Sequence, residues 1–448
     1  MLSRSMRTSN ELLAELKTLH PRRIDLSLGR IEALLGKLGN PHQRLPPVIH
    51  IAGTNGKGST AALLKAMLQA AGKRVHVYTS PHLVHFHERI ELSQVGGKAR
   101  PIGETELVEL LDRTSRANAD APVTFFEVTT AAAFLAFAEH AADALILEVG
   151  LGGRLDATNV VAAPALTVIT PIAIDHADWL GASVSLIAAE KAGILKPGVP
   201  AVISHQPIEA LAAIRSRASE IRAPLTVWGE DYEAFAQRGR LVYQNAERLL
   251  DLPLPALIGH HQVANAGTAI AAALQLGSIG IPGGAIERGL LEVRWPARMQ
   301  RLDNGPLSRL LAAGSELWLD GAHNPAGAEA IAQTLAELEE RAPKPVGLIV
   351  GMMGKKDAAG FFSHFRGLVR RVVTVPNPGS PEVTHEPVAL ARVAASAGLS
   401  ADAAPDLQTA LARLQRSEGR PLRVLICGSL YLAGQVLALQ EGVQAQLN

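Results

Sequence analysis

Apolar residues in this chain fall into two alternating patterns. Short unbroken runs, PPVIHIAG (46–53), VHVYTS (75–80), ALILEVG (144–150), ALTVITPI (165–172) and PAVISH (200–205), are separated by longer stretches with helical spacing. Runs of about 4–8 Val, Ile and Leu residues divided by helical patterns are the mark of parallel strands buried on both faces. The run STAALLKAMLQAAG (59–72) predicts one such helix, stopped by glycine. Residues 229–258 differ. They are more polar, carry Leu-Pro-Leu-Pro, and predict a hairpin-like excursion before GHHQVANAGTAIAAALQL (259–276) returns to helix.

A second series begins near residue 300. ELWLD (316–320) predicts a strand, GAHNPAG (321–327) a loop and AEAIAQTLAELEE (328–340) a helix; VGLIVG, RVVTVPN and PLRVLICG predict three more strands, each followed by helix. The expected fold class is α/β: an N-terminal, doubly wound, mostly parallel sheet domain with a phosphate loop, and a smaller C-terminal Rossmann-like domain. EVRWPARMQRL reads as the linker. We place the domains at 1–296 and 297–448 and expect a hinge near Pro296.

Composition narrows the function. With 448 residues, 48% hydrophobic and 19% charged, the chain has material for large cores. A formal net charge of +1 argues against a dedicated binder of nucleic acid or acidic membrane. The single cysteine, Cys427, lies in the apolar run RVLICGSL and reads as a buried, inert thiol. The stretch 131–149 is interrupted by Glu139, His140 and Asp143, too broken for a span of about 20 apolar residues. Arg4, Arg7 and Glu11 give the N-terminus no secretory character, so a cytoplasmic protein is expected.

The strongest chemical signal is IAGTNGKGSTAALL (51–64). A strand runs through Gly53, Thr54, Asn55, Gly56, Lys57, Gly58, Ser59 and Thr60 straight into a helix. Glycines let backbone N–H groups turn inward, the helix N-terminus adds positive potential, and Lys57 brings a full charge to the phosphates. A hydroxyl of Ser59 or Thr60 suits the accompanying metal. The spacing departs from the usual phosphate loop, because Gly58 separates Lys57 from Ser59. Glu148 ends a strand run and faces the ligand crevice or plain solvent. His176 follows another strand, flanked by Asp175 and Asp178, as a metal donor or a structural histidine. Lys191, on a predicted helix, reads by itself as facing solvent. Asp320 ends a second-domain strand and suits a ribose hydroxyl or a phosphate neighbourhood.

Together GTNGKGST, TSPHL (79–83), TFFE (124–127), LEVGLGGRLDATN (147–159), IAIDHADWLG (172–181), EKAGI (190–194), GHHQVANA (259–266), WPARMQ (295–300), DGAHNP (320–325) and CGSLYLAG (427–434) resemble the bifunctional dihydrofolate synthase/folylpolyglutamate synthase family, a branch of the Mur ligase superfamily. The matches span nearly the whole chain in family order. The resemblance implies a ligase that adds L-glutamate to 7,8-dihydropteroate, and further glutamates to reduced folates, through an acyl phosphate made with ATP. It implies that Thr54 to Lys57 and Gly58 to Thr60 cradle ATP, completed by Asn265, Arg298 and Asp320. Ser80, Glu148 and His176 would hold magnesium, and a carbamylated Lys191 would serve a second magnesium; Ser80 competes with Ser59 for the hydroxyl role. Lys57, Lys191, His176 and Arg298 would carry catalysis. Ile24, Asp25, Leu26, Thr124, Phe126, Leu155 and Asp156 would meet the pterin end. No nucleic-acid or membrane partner follows, and a monomer is expected.

The sequence departs from the family at Ser27 and Gly29, where Gly and Glu are more frequent, at Ala297, where glycine usually precedes the arginine, and in GMMGKKD (351–357). The alternatives are a folylpolyglutamate synthase lacking the dihydropteroate step, or another Mur-type amino-acid ligase; TFFE and DHADWLG favour the bifunctional form. A nucleotide-driven switch is disfavoured by the even charge balance.

Overall fold

The computed structural model describes residues 7–18, 27–94, 97–277, 280–379 and 383–446. The expected contacts Ile24, Asp25 and Leu26 lie outside the described residues. The chain separates into two units. The first holds the described residues up to Ser80 with His87–Leu254 and Ala264–Val293; the second holds Pro81–Phe86, Pro255–Val263 and the chain from Arg294 onward.

The first unit is built on an eight-stranded sheet. Its strands are β1 (Val48–Ala52), β2 (Val75–Tyr78), β3 (Ile90–Leu92), β4 (Arg100–Pro101), β5 (Ala144–Glu148), β6 (Leu166–Ile169), β7 (Ala201–Ile203) and β8 (Leu225–Val227). Their order is β4-β3-β2-β5-β1-β6-β7-β8. All pairs are parallel except β2–β3 and β3–β4. Every residue of β1, β2, β5 and β6 is buried, which is why these strands read as unbroken apolar runs. β1 lies at the centre, with Ile51 opposite Glu148 and Ala52 opposite Ile169. From β1 the chain moves outward to β2, returns at β5, and continues on the other side at β6. The carboxyl ends of β1, β5 and β6 therefore meet at the switch point where open α/β sheets place ligands.

The polar excursion is larger than the expected hairpin. It is a three-stranded antiparallel sheet of β9 (Tyr232–Gln237), β10 (Arg240–Asn245) and β11 (Leu249–Pro253). Arg238 and Gly239 join the first two strands at φ 51° and 77°, the paired positive angles of a tight hairpin. The third strand was masked in the sequence by its prolines.

The second unit has a six-stranded sheet of β12 (Gln300–Arg301), β13 (Glu316–Leu319), β14 (Val346–Val350), β15 (Arg371–Thr374), β16 (Ala401–Ala403) and β17 (Arg423–Cys427), in the order β12-β13-β17-β14-β15-β16. Only β12–β13 is antiparallel. One face packs Leu317, Leu319, Val424 and Ile426 against Leu411, Leu432 and Val436. The other packs Trp318, Leu348, Val350 and Leu425 against Ile331, Leu335, Phe361 and Phe365. The helix after β13 starts at Pro325, three residues before the sequence suggested, because proline fits the first helical position and Asn324 caps it. Cys427 is buried in this core, and burial raises its thiol pKa. Among the described residues no helix is long and apolar enough to cross a membrane.

Candidate functional site

β1 delivers the phosphate loop at the switch point. Gly53 adopts φ 152°, and a Cβ there would lie 1.8 Å from Thr170 Oγ1. Gly56 adopts φ 83° as the residue preceding helix Lys57–Ala70, and a Cβ there would lie 2.5 Å from Asn265 Oδ1. Both positions therefore require glycine, and Asn265 is brought against the loop. The amides of Gly56, Lys57, Gly58 and Ser59 have no helical carbonyl before them and form the N-terminal anion pole. The backbone of Thr54 and Asn55 is anchored to the neighbouring strand end. Both donate their N–H to Pro171 O, at 3.0 and 3.1 Å. The Thr54 hydroxyl donates to Ala173 O at 3.1 Å and accepts from Ala173 N at 3.1 Å. These four bonds latch the loop to the segment leading to His176. Ser59 and Thr60 are both buried at the start of the helix, Ser59 at 1% and Thr60 at 0% exposure.

Two lysines converge on one carbonyl. Lys57 Nζ donates to Gly53 O at 3.2 Å and stands 3.9 Å from Glu148 Oε1. Lys191 Nζ donates to the same oxygen at 2.8 Å. Lys191 is buried at 5% exposure, which corrects the solvent-facing reading of that residue taken alone. Burial, reinforced by repulsion from Lys57, pushes its pKa down to about 7, against a smaller opposing pull from Asp175 and Asp156. Its helix, Val184–Ala192, has one turn pressed against the glycine-rich loop 150–154. A Cβ at Gly153 would lie 3.0 Å from Lys191 Cα, and one at Gly193 would lie 2.3 Å from Arg154 Cβ. The Arg154 N–H donates to Glu190 O at 2.8 Å.

Ser80, Glu148 and His176 all leave the carboxyl edge of the sheet, after β2, at the end of β5 and after β6. Glu148 is buried and Ser80 half-buried, whereas His176 is exposed. His176 is held in the left-handed region at φ 51°, a conformation uncommon outside glycine, with its N–H donated to Asp175 Oδ1 at 2.8 Å. Among the described residues no three His, Cys, Asp or Glu side chains cluster as a metal site. A site here would have to use mixed donors of the Ser, Glu and His kind. Such an oxygen-rich set fits a hard divalent cation such as magnesium.

Of the expected pterin contacts among the described residues, Leu155 and Asp156 lie in loop 150–156 and Phe126 packs against its first glycine. Thr124 caps helix Phe125–Glu139 in a capping box with Glu127. The T-x-x-E spacing in TFFE carries that signal, which the sequence reading left unused. The Phe126 ring fills the space beside Gly150, where a Cβ would lie 2.5 Å from Cζ. Leu155 is half-buried and Asp156 buried. Asp156 accepts N–H bonds from Leu151 at 2.9 Å and Thr158 at 3.0 Å, and burial raises its pKa despite them.

In the second unit, Asp320 follows β13 and accepts from Met299 N and Ala322 N, both at 2.7 Å. Arg298 donates to Ala297 O at 2.8 Å, and a Cβ at Gly321 would lie 2.6 Å from its Nη1. Arg298 sits between two left-handed residues, Ala297 at φ 54° and Met299 at φ 40°. That backbone accounts for the family's glycine at the Ala297 position. Here the buried alanine methyl contributes to the core instead.

Residues 51–273 match the family model of the Mur ligase middle domain and residues 298–430 that of the Mur ligase glutamate ligase domain. The chain is 39% identical over 402 residues to a dihydrofolate synthase/folylpolyglutamate synthase of Mycobacterium tuberculosis, covering 82% of this chain and 78% of that protein. It superposes on Escherichia coli FolC in complex with DHPP and ADP with a TM-score of 0.83 and 31% identity, covering 97% and 98% of the two chains. A bifunctional folylpolyglutamate synthase/dihydrofolate synthase with Mn, AMPPNP and L-glutamate bound gives a TM-score of 0.83 and 33% identity, covering 98% and 99%. The chain belongs to the dihydrofolate synthase/folylpolyglutamate synthase family of Mur ligases, which are ATP-dependent acid–amino-acid ligases.

Proposed function

We propose that this enzyme joins L-glutamate to 7,8-dihydropteroate, giving dihydrofolate, and adds further glutamates to reduced folates. The observation that carries the reading is the shared Gly53 carbonyl, which gathers Lys57 and Lys191 beside Glu148 at the phosphate loop. Relatives that hold ADP, AMPPNP, manganese, DHPP and L-glutamate support the choice of substrates.

A carboxylate is a poor electrophile, so it must be activated before an amine will attack. In this reading the acid's carboxylate oxygen attacks the γ-phosphorus of ATP, ADP leaves, and an acyl phosphate remains. The glutamate amine then adds to the acyl carbon and inorganic phosphate departs. Lys57, the helix N-terminus and Arg298 neutralise and position the phosphates, with Asn265 and Asp320 completing nucleotide binding. Ser80, Glu148 and His176 would hold one magnesium and Lys191 would serve a second. A divalent cation there supplies charge neutralisation to the transferring phosphoryl group. Lys191 suits carbamylation: a lysine held near pKa 7 is about half unprotonated at neutral pH, and its free amine adds to carbon dioxide with loss of a proton, leaving a carboxylate. Thr124, Phe126, Leu155 and Asp156 line the acid's pterin end, together with residues 24–26. We extend the reading to a cytoplasmic monomer acting on small molecules, without nucleic-acid or membrane partners; the single buried cysteine supports a reducing compartment.

The test is ATP-dependent phosphate release with L-glutamate and Mg²⁺, adding either 7,8-dihydropteroate or a reduced folate. Release with both acids is expected. Release with the folate alone reduces the enzyme to a folylpolyglutamate synthase, and release with neither directs attention to other Mur-type acids.

A further inference from the structure

β1 does more than carry the phosphate loop. Its middle residue, His50, is wholly buried between Leu147 on β5 and Thr167 on β6. Its Nε2 lies 2.8 Å from Thr158 Oγ1, and Thr158 Oγ1 lies 2.5 Å from Asp156 Oδ1. Burial drives the imidazole pKa down to about 3, so the ring is neutral. The Thr158 hydroxyl donates to Asp156 Oδ1, which leaves the Thr158 oxygen to accept from His50 Nε2–H. His50 Nδ1 is then bare, and among the described residues it has no hydrogen-bond partner. The direction of donation is fixed along the whole line, from His50 through Thr158 to Asp156.

Asp156 in turn organises the loop proposed to meet the acid substrate. Oδ2 accepts Leu151 N–H, and Oδ1 accepts both the N–H and the hydroxyl of Thr158. Gly153, which makes room for Lys191, lies in the span so closed, and Gly150, which makes room for Phe126, immediately precedes it. One rigid strand thus carries the phosphate loop at its end and, three residues earlier, the anchor of the substrate loop.

We propose that His50 is a positioning residue for the acid substrate, acting through Thr158 and Asp156 to fix loop 150–156 relative to the phosphate loop. This rests on the reading that the loop contacts the acid. His50→Leu removes the donor, whereas His50→Gln keeps an N–H on a side chain of similar reach. Thr158→Val and Thr158→Ser form the same pair one step along. For His50→Leu and Thr158→Val we expect KM for dihydropteroate to rise about 10- to 100-fold, the range set by one hydrogen bond in a charged chain, with KM for ATP within about twofold. His50→Gln and Thr158→Ser should recover most of the loss. Amide exchange of Leu151, measured on ligand-free protein, should accelerate in the Leu and Val variants and not in the Gln and Ser variants. Exchange does not depend on which acid is used, so it separates the relay from the substrate assignment. Equal exchange in all four variants overturns the relay. Faster exchange with an unmoved KM for the acid, or a KM for ATP that rises as much, overturns its positioning role.

Discussion

Lys191 carries a stability cost that its proposed metal-site role would explain. A lysine buried to 5% exposure has its pKa pushed to about 7 by desolvation, which its hydrogen bond to Gly53 O and the pull of Asp175 and Asp156 offset only in part. Lys191→Met keeps most of the volume and removes the charge. Urea denaturation of metal-free Lys191→Met should give an unfolding free energy about 1–3 kcal/mol above the unaltered protein. Its ligase turnover should fall by about 10²–10³-fold or more, as for loss of an electrostatic contact at a transferring group. A variant that is both less stable and fully active would refute the assignment. The sequence does not disclose this residue's situation. EKAGI has the composition of an exposed helix end, and Lys191 becomes buried only because Gly153 and Gly193 allow two backbones to approach far apart in sequence.

Elements behave as units where such glycines set the spacing. Gly153 lacks a positive φ, so its value lies in the space it leaves: a Cβ would stand 2.8 Å from Glu190 O and 3.0 Å from Lys191 Cα, both backbone atoms unable to swing aside. Gly153→Ala should cost about 1–3 kcal/mol from overpacking. Because it displaces the Lys191 helix, turnover should fall further than the stability loss accounts for, as read by kcat at a temperature where the variant is fully folded. In the second unit, β13, β17 and helix Pro325–Arg341 are joined by charge. Arg423, 1% exposed, donates to Glu316 at 2.7 Å and pairs with Glu339, while Lys344 Nζ stands 2.5 Å from Glu316. Against the cost of its own burial, bonds to Arg423, Lys344 and Trp318 hold the Glu316 carboxyl down to about 2. Since the folded pKa lies below the unfolded value, the contribution is complete above about pH 4.5 and is lost as pH falls toward 2. After solvent screening it should amount to about 1–2 kcal/mol. Acid titration of stability should show that slope in the unaltered protein and lose it in Glu316→Gln. The long buried strands and the phosphate loop were legible because apolar runs and the Gly-Lys-Gly-Ser-Thr order between a strand and a helix each follow from one physical demand. The two-residue strands β4 and β12 were not, since so short a stretch has no period to read.

At the scale of the whole chain, the second unit is not a continuous segment. Val84 is buried in its core beside Leu432 and Val436. The Leu83 carbonyl comes so close to Gly434 that a Cβ there would lie 2.0 Å away. Gln446 N donates to Val84 O at 2.8 Å, and its side chain accepts from Phe86 N at 2.5 Å. From 255–263, His260 pairs with Glu337 at 3.0 Å, and Gly259 leaves room for Thr334. The sequence suggests a boundary near Pro296 and the units divide at Val293/Arg294, but a six-residue excursion such as Pro81–Phe86 leaves no compositional trace, because its meaning lies in what it covers. A fragment of residues 294–448 would leave the core around Val84 open to water. Burial of two or three such side chains is worth on the order of 3–6 kcal/mol, or about 10 °C in melting temperature for a unit of this size. Calorimetry of the fragment should therefore show a transition lowered by roughly that amount, or broadened beyond two-state behaviour, relative to the same unit in the full chain. A fragment that melts sharply at the full-chain temperature would show that the cut at 293/294 alone defines the domain and that the two inserted segments are ornamental to its stability.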